Sequence, residues 1–293
     1  MPLRREKVLV LNIQVRPRYL GVWVLDGDAM TATFAAVLLV IVPGSEPALN
    51  QLKLLFTFRN EFVAITPGTG NFPKTFRMGQ PDGAPSTRPP HQVAFDYCFE
   101  VAKYEVPQNL WHAVMGSEPS RWEGPRNSVE RVSFLEAREF CSRVTRLLRE
   151  AQLIQAGEVV RLPSEAEWEY CCRAGSTADY SFGNNIRQLD LYGWHTGNAA
   201  RNDPPVGAKQ PNPWGLYDVH GYLWEWCSDH WQPNYETATV DGSPVRTGDG
   251  KRRVVRGGSW KDAADQLTSA ARRGHRQDHK DDAVGFRCVL AKN

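Results

Sequence analysis

The sequence predicts an α+β domain, and three observations carry that reading. Two stretches in the middle of the chain open with helix-start signatures, and the longer one keeps its apolar residues on one face. Short strand-like segments flank them. From Ser181 onward Gly, Pro, Asn, Asp and Trp recur with no convincing helix, which describes a long, loop-rich half of short strands. Of the 293 residues, 41% are hydrophobic and 23% charged, enough to bury a core. Thirty-five Lys and Arg against 33 Asp and Glu leave a net charge of +2, without the basic excess of a dedicated nucleic-acid binder. No nucleic-acid partner is expected.

Along the chain, residues 1–60 read as an N-terminal extension, mostly strands. Residues 8–15 alternate, 19–25 are aromatic and apolar, and 49–58 are mixed. The apolar run 32–42 (ATFAAVLLVIV) stops at Pro43 and follows Asp26 and Asp28, so it reads as a buried strand. No apolar run reaches the roughly 20 residues that span a bilayer, so no membrane span is expected. With no clear signal peptide the expected compartment is the cytoplasm; translation starting near Met30 would favour secretion instead. Residues 61–293 read as one domain. In it, 80–90 (QPDGAPSTRPP) is a polar, Pro-rich loop and 91–104 returns to strand. Ser133 and Glu136 form a capping box ahead of a helix with Phe134, Ala137, Phe140, Val144 and Leu147 on one face. A second capping box, Ser164 with Glu167, opens a helix through Cys172 that Gly175 ends. Short strands follow at 254–256 and 286–290.

Few motifs carry chemistry on their own. There is no G-x-x-x-x-G-K-[ST] and no G-x-G-x-x-G, which excludes the common phosphate loops. The six cysteines contain no C-x-x-C pair and are too sparse for a disulfide scaffold. His275 and His279 lie four apart, a metal spacing on a helix, but ARRGHRQDHKDD reads as a loop in which both are solvated. Glu165, Glu167 and Glu169 lie near Arg161 and Arg173, and capping and helix-dipole roles account for the first two. Glu225 sits between Trp224 and Trp226. A carboxylate buried there needs an arginine, backbone N–H groups or a hard cation, and the sequence leaves ion binding and salt bridging equally open. Residues 251–282 hold nine Lys or Arg and five Asp, together with Trp260 and two histidines. Such a segment suits a recognition surface, and equally an ordinary solvated loop.

At the level of longer motifs, RLPSEAEWEYCCRAG (161–175), NPWGLYDVHGYLWEWCSDHW (212–231) and VVRGGSW…SAARR…AVGFRCV (254–289) resemble the formylglycine-generating enzyme, or sulfatase-modifying factor, family. FRMG (76–79) is similar to that family's opening strand and turn. The resemblance covers about residues 62–291. It implies a single α+β domain related to the C-type lectin fold, with a working surface in the segment after Gly257-Gly258-Ser259. In the family's enzymes two cysteines in that segment bind copper(I) and use oxygen to oxidise a sulfatase cysteine to formylglycine. Here WKDAADQLTSAARR contains no cysteine: the first would fall near Asp262 and the second near Leu267. No copper is therefore expected, since copper(I) calls for soft thiolates. The resemblance also places Trp226 and Ser259 along the family's pocket. It implies a structural calcium site at Gly221, Leu223 and Glu225, with Tyr222 standing where the family has an Asn. It implies further that Cys172 and Cys288 are a disulfide or contact pair.

The function expected on this basis is ligand or protein binding through the segment between RGGSW and GFR. One subclass of the fold, the variable proteins of diversity-generating retroelements, concentrates sequence variation there. The corresponding positions here are Lys261, Asp262, Asp265, Thr268, Arg272, His275, Arg276, Asp278 and His279, and Trp226, Ser259 and Trp260 are expected to contact ligand beside them. The alternative is an oxidoreductase or maturation enzyme with a non-cysteine site, in which His275, His279, Asp278 and Asp262 supply acid–base groups or metal ligands. A third possibility, the family's own oxidase with Cys227 recruited, has one thiol where two are needed.

Overall fold

A computed structural model describes residues 46–199 and 204–292. Contacts divide the chain into residues 1–50 and 51–293, and of the first unit only 46–50, the start of a helix, are described. The strands expected at 8–15, 19–25 and 32–42, and Met30 with them, lie outside the described residues.

The elements begin with α1 (Glu46–Asn60), β1 (Phe62–Ile65), β2 (Thr75–Met78), β3 (His91–Ala94) and β4 (Phe99–Ala102). Next come α2 (Gln108–Met115), α3 (Phe134–Glu150), β5 (Glu158–Arg161), α4 (Glu165–Arg173) and the single turn α5 (Leu189–Tyr192). The last half supplies β6 (Trp224–His230), β7 (Arg252–Arg256), β8 (Arg272–Arg276), β9 (Val284–Gly285) and β10 (Val289–Lys292). The mixed helix-and-sheet class is as the sequence predicts, but the helix inventory is not. The described residues hold five α-helices rather than two, and 46–60 is helical where strands were expected. In α1 the apolar residues Leu52, Leu54, Leu55, Phe56 and Phe58 follow no single face, and of these only Leu55 and Phe58 are buried, so there is no stripe to read. Helix α2 lacks a side-chain cap, with Pro107 at its N-cap, and so shows no start signature.

Helices α3 and α4 form where their sequences say. Ser133 Oγ accepts from the Glu136 N–H, and the Glu136 carboxylate accepts from the Ser133 N–H at 2.9 Å. Ser164 and Glu167 repeat the exchange at 3.0 and 2.7 Å. On α3, Phe134, Ala137, Phe140, Val144 and Leu148 are buried. Trp111 stacks on Phe140 at 5.6 Å and Phe286 meets the same ring edge-on at 5.4 Å. Each such side chain stabilises by about 1.5–3 kcal/mol on burial. All nine residues of α4 are buried. Its charged side chains therefore have to find partners inside the protein.

Two four-stranded sheets and a hairpin organise the chain. The first has the order β1-β4-β10-β5, entirely antiparallel, so the chain's last strand lies between elements from its first half. β2 pairs with β3. The third sheet, β8-β7-β6-β9, is antiparallel except for the β6–β9 pair. Strand β7 lies inside this sheet and delivers the chain to the segment that matters most below.

Candidate functional site

Strand β7 ends in a turn built by Gly257 and Gly258, at φ of +99° and +77°. A Cβ on Gly258 would come within 2.8 Å of the Leu267 side chain, so both the backbone angle and the space require glycine here. Ser259 and Asp262 then close a tight turn. Ser259 Oγ donates to Asp262 Oδ2 at 2.6 Å, and Trp224 Nε1 donates to the same oxygen at 2.8 Å. Arg273 pairs with the other oxygen at 2.6 Å. Leu267 is buried beneath the loop with Tyr180 and Leu189. Strand β8 then returns alongside β7, with Arg252 through Arg256 facing Arg276 through Arg272.

The base of this segment is ionic. Arg256, fully buried, pairs with Glu165 and Glu169 of α4 and donates to the carbonyls of Ser269 and Ala270. Arg272 makes a two-pronged contact with Glu165 at 2.6 and 2.9 Å, over the rings of Trp231 and Tyr235. Arg173 pairs with Glu169 at 2.8 Å, and Arg161 pairs with Glu167 at 2.7 Å. Burial pushes the Glu169 carboxyl up, but Arg173, Arg256 and the Gly79 N–H outweigh it and hold it low. The three glutamates of α4 are structural, as capping alone suggested for two of them.

The structure separates the expected binding residues into two groups. Lys261, Asp265, Arg276 and Asp278 are exposed, and Trp260, Thr268, His275 and His279 are half-buried. Trp226, Ser259, Asp262 and Arg272 are buried and committed to the partners that hold the segment in place. The polar groups of these four already have partners inside the protein. Sequence reasoning passed over Trp122 and Arg121. Trp122 meets Trp260 edge-on at 6.4 Å, the Arg121 guanidinium lies 4.7 Å from the Trp122 ring, and Arg121 pairs with Asp282 at 3.0 Å. Lys261 bridges Asp281 and Asp282, and Trp260 Nε1 donates to the Asp282 carbonyl at 3.0 Å. Their 140-residue separation in sequence hides this cluster; no local signal marks it.

His275 and His279 do come together, with rings stacked at 4.4 Å and Trp226 against His275 at 6.2 Å. Burial, His279 and Arg273 push His275 down to about 4, so it is neutral at pH 7. Asp278 is paired with Arg276 and Asp262 with Arg273. Among the described residues no group of three or more His, Cys, Asp or Glu side chains is placed to hold a metal ion. Neither of the two largest clefts described, about 1160 and 800 Å³, is lined by Trp260, Lys261, Asp265, Arg276, Asp278 or His279.

The metal sets implied by the resemblance do not fit. Both oxygens of Glu225 accept from Arg287, at 2.6 and 2.7 Å, and Trp168 Nε1 adds a third bond at 2.8 Å. The carboxylate that would join Gly221 and Leu223 around calcium is thus neutralised by an arginine, and salt bridging resolves the alternative left open for Glu225. At the copper positions stand Asp262, a hard oxygen donor held by Arg273, and Leu267, fully buried and apolar. Copper(I) takes soft thiolates, which this pair does not offer. Cys227, the thiol nearest in motif, is buried, and burial holds it well above the ordinary thiol range. Cys172 and Cys288 are not a bonded pair, correcting the expectation: both are free. Cys288 Sγ lies 4.0 Å from Cys141 Sγ of α3, while Cys172 sits beside His220 at 4.0 Å, in a different hydrophobic cluster.

Residues 58–292 match the sulfatase-modifying factor enzyme 1-like domain. The formylglycine-generating enzyme of Bos taurus is 33% identical over 197 residues, covering 61% of this chain and 48% of that protein. The chain thus spans about half the length of that curated relative. PvdO from Pseudomonas aeruginosa superposes with a TM-score of 0.67 at 25% identity, over 79% of this chain and 94% of that one. Treponema denticola variable protein 1 superposes with a TM-score of 0.68 at 26% identity, over 79% and 95%. No helix among the described residues is long and apolar enough to cross a membrane. With most of its residues inside the domain match and its fold shared by both solved neighbours, the chain belongs to the sulfatase-modifying factor enzyme 1-like family.

Proposed function

We propose that this chain is a binding member of the family, presenting residues 260–282 to a protein or small-molecule ligand, without copper chemistry. The observation that supports this most is the division of labour along the segment. Buried Ser259, Asp262, Arg256 and Arg272 fix the backbone, while Lys261, Asp265, Arg276 and Asp278 project from it, Lys261 reaching Asp281 and Asp282 and Arg276 pairing with Asp278. Exposed side chains on a pinned loop change at little cost to stability. Trp260 and Trp122 supply the rigid aromatic surface typical of binding hot spots. The likeness to Treponema denticola variable protein 1 supports the narrower reading of a variable protein of a diversity-generating retroelement. A template repeat matching codons 260–282 beside a reverse transcriptase gene would establish that subclass.

The scaffold reading has a direct test. Replacing Lys261, Asp265, Arg276, Asp278 and His279 together by serine is expected to cost less than about 2 kcal/mol, because apart from the Lys261 contact to Asp282 and the His279 stack on His275 each makes at most a surface pair. Asp262→Ala alone is expected to cost about 2–3 kcal/mol, since it strands the buried Ser259 and Trp224 donors and removes the partner of Arg273. Urea unfolding of both variants checks the order. A fivefold variant less stable than Asp262→Ala would refute the division.

A further inference from the structure

The largest cleft described, about 1160 Å³, lies away from residues 260–282, between α3, the β5–β10 side of the first sheet, the 243–246 loop and the β6–β7 strands. Six basic side chains line it: Arg138 on α3, Arg161 at the end of β5, His230 at the end of β6, Arg246 in the loop, Arg253 on β7 and Lys292 on β10, of which Arg161 is held by Glu167. Arg253 is only 9% exposed. Its guanidinium lies 4.5 Å from the Phe134 ring centroid, its Nη1 makes one long bond to the Ser228 carbonyl at 3.4 Å, and its Nε has no partner. The contrast with the other buried arginines is what decides. Arg173, Arg256, Arg272 and Arg287 each hold a carboxylate. Among the described residues Arg138, Arg246 and Arg253 hold none. His230 Nδ1 is likewise buried without a partner.

The acidic groups nearby are already engaged. Asp229 accepts from the Glu165 and Val245 N–H groups, and Asp249 pairs with Arg252. Glu100 and Glu158 line the strand end of the cleft. The first pairs with Arg59, and the second accepts from the Gln155 N–H. Burial, then Arg138 and Arg246, depress Arg253, and Asp229 and Asp249 offset this only in part. A desolvated guanidinium without a counter-charge is costly, and its planar fork matches oxyanions. We propose that Arg253, Arg138 and Arg246 bind an oxyanion group, phosphate foremost, of an organic ligand whose apolar body lies against Phe134, Leu162 and Pro244.

The test uses inorganic phosphate on the whole chain, with unfolding followed at fixed ionic strength against sodium chloride. Phosphate is expected to raise the midpoint in a saturable way. Arg138→Ser with Arg246→Ser, both exposed and unpaired, is expected to keep the wild-type midpoint in chloride and to bind phosphate at least about tenfold more weakly. Arg253→Met is expected to abolish the phosphate response while holding or raising the midpoint in chloride, because an unpaired buried cation has been removed. A purely structural Arg253 would instead lower it. No saturable response to phosphate beyond that to chloride, or a response the double variant retains, would overturn the proposal. Phenyl phosphate binding more tightly than inorganic phosphate supports the apolar wall; equal binding refutes that part.

Discussion

Arg287→Ala is expected to cost about 3–5 kcal/mol of stability, roughly 10 °C in unfolding midpoint. Arg287 is fully buried and faces three buried carboxylates, Glu225, Glu105 and Asp218. It holds both oxygens of Glu225 and donates to the carbonyls of Ala102, Lys103 and Tyr217, tying the motif before β10 to the β6 motif and to the loop after β4. Burial pulls the guanidinium's affinity for its proton down, and Glu225 more than restores it. Without Arg287, Glu225 keeps only Trp168, and its charge becomes an uncompensated one in a dry site. The variant should therefore lose less stability at pH 5 than at pH 8, because Glu105 and Asp218, whose carboxyls burial already lifts, can take up protons there. Equal loss at both pH values, by urea unfolding, would show that Arg287 acts through packing alone.

The same cluster gives the second large effect. Asp218 is buried, and burial together with repulsion from Glu225 lifts its carboxyl to about 6, against the pull of the Gly207 N–H and Arg287. One oxygen accepts from Gly207 at 2.7 Å and the other has no partner. The sign follows from proton binding. The folded chain holds a proton that the unfolded chain has released, so this contribution is fully present below about pH 4. It is lost as pH rises through about 6. Asp218→Asn keeps the Gly207 bond, supplies an amide at the unpartnered side and tolerates the residue's φ of +59°. It is expected to leave stability at pH 4 unchanged and to raise it at pH 8 by up to about 3 kcal/mol, from about 1.4 per pKa unit. Parallel stability–pH curves for the two proteins would contradict this.

These two effects show where the sequence stops being legible. The capping boxes at Ser133 and Ser164 and the apolar face of α3 are local, so the helices they start were visible without a structure. Helices α1 and α2 were not, because one lacks a stripe and the other lacks a cap. The motifs around Gly257 and Glu225 marked the right segments but not the roles within them. Glu165 meets Arg272 across 107 residues and Glu225 meets Arg287 across 62, and only the fold shows that such charges are buried and spent on each other. The resemblance, rather than the residues, implies the pairing of Cys172 with Cys288; in the fold Cys288 lies beside Cys141, 147 positions earlier. In the charged run 251–282 the sequence shows residue types but not direction, so Arg272, facing inward, looked the same as Arg276, facing solvent. Arg253, whose missing partner carries the anion-binding proposal, was hidden in that run too.

The central claim is the proposed one, that residues 260–282 of this family fold form a binding surface and support no copper chemistry. The most direct test measures copper(I) content and oxygen uptake of the purified protein with a cysteine-bearing sulfatase-type peptide. The account expects no stoichiometric copper and no peptide-dependent uptake above that of an Asp262→Ala control. One bound copper per chain, with oxygen consumed in proportion to peptide, would contradict it and return the chain to the oxidases.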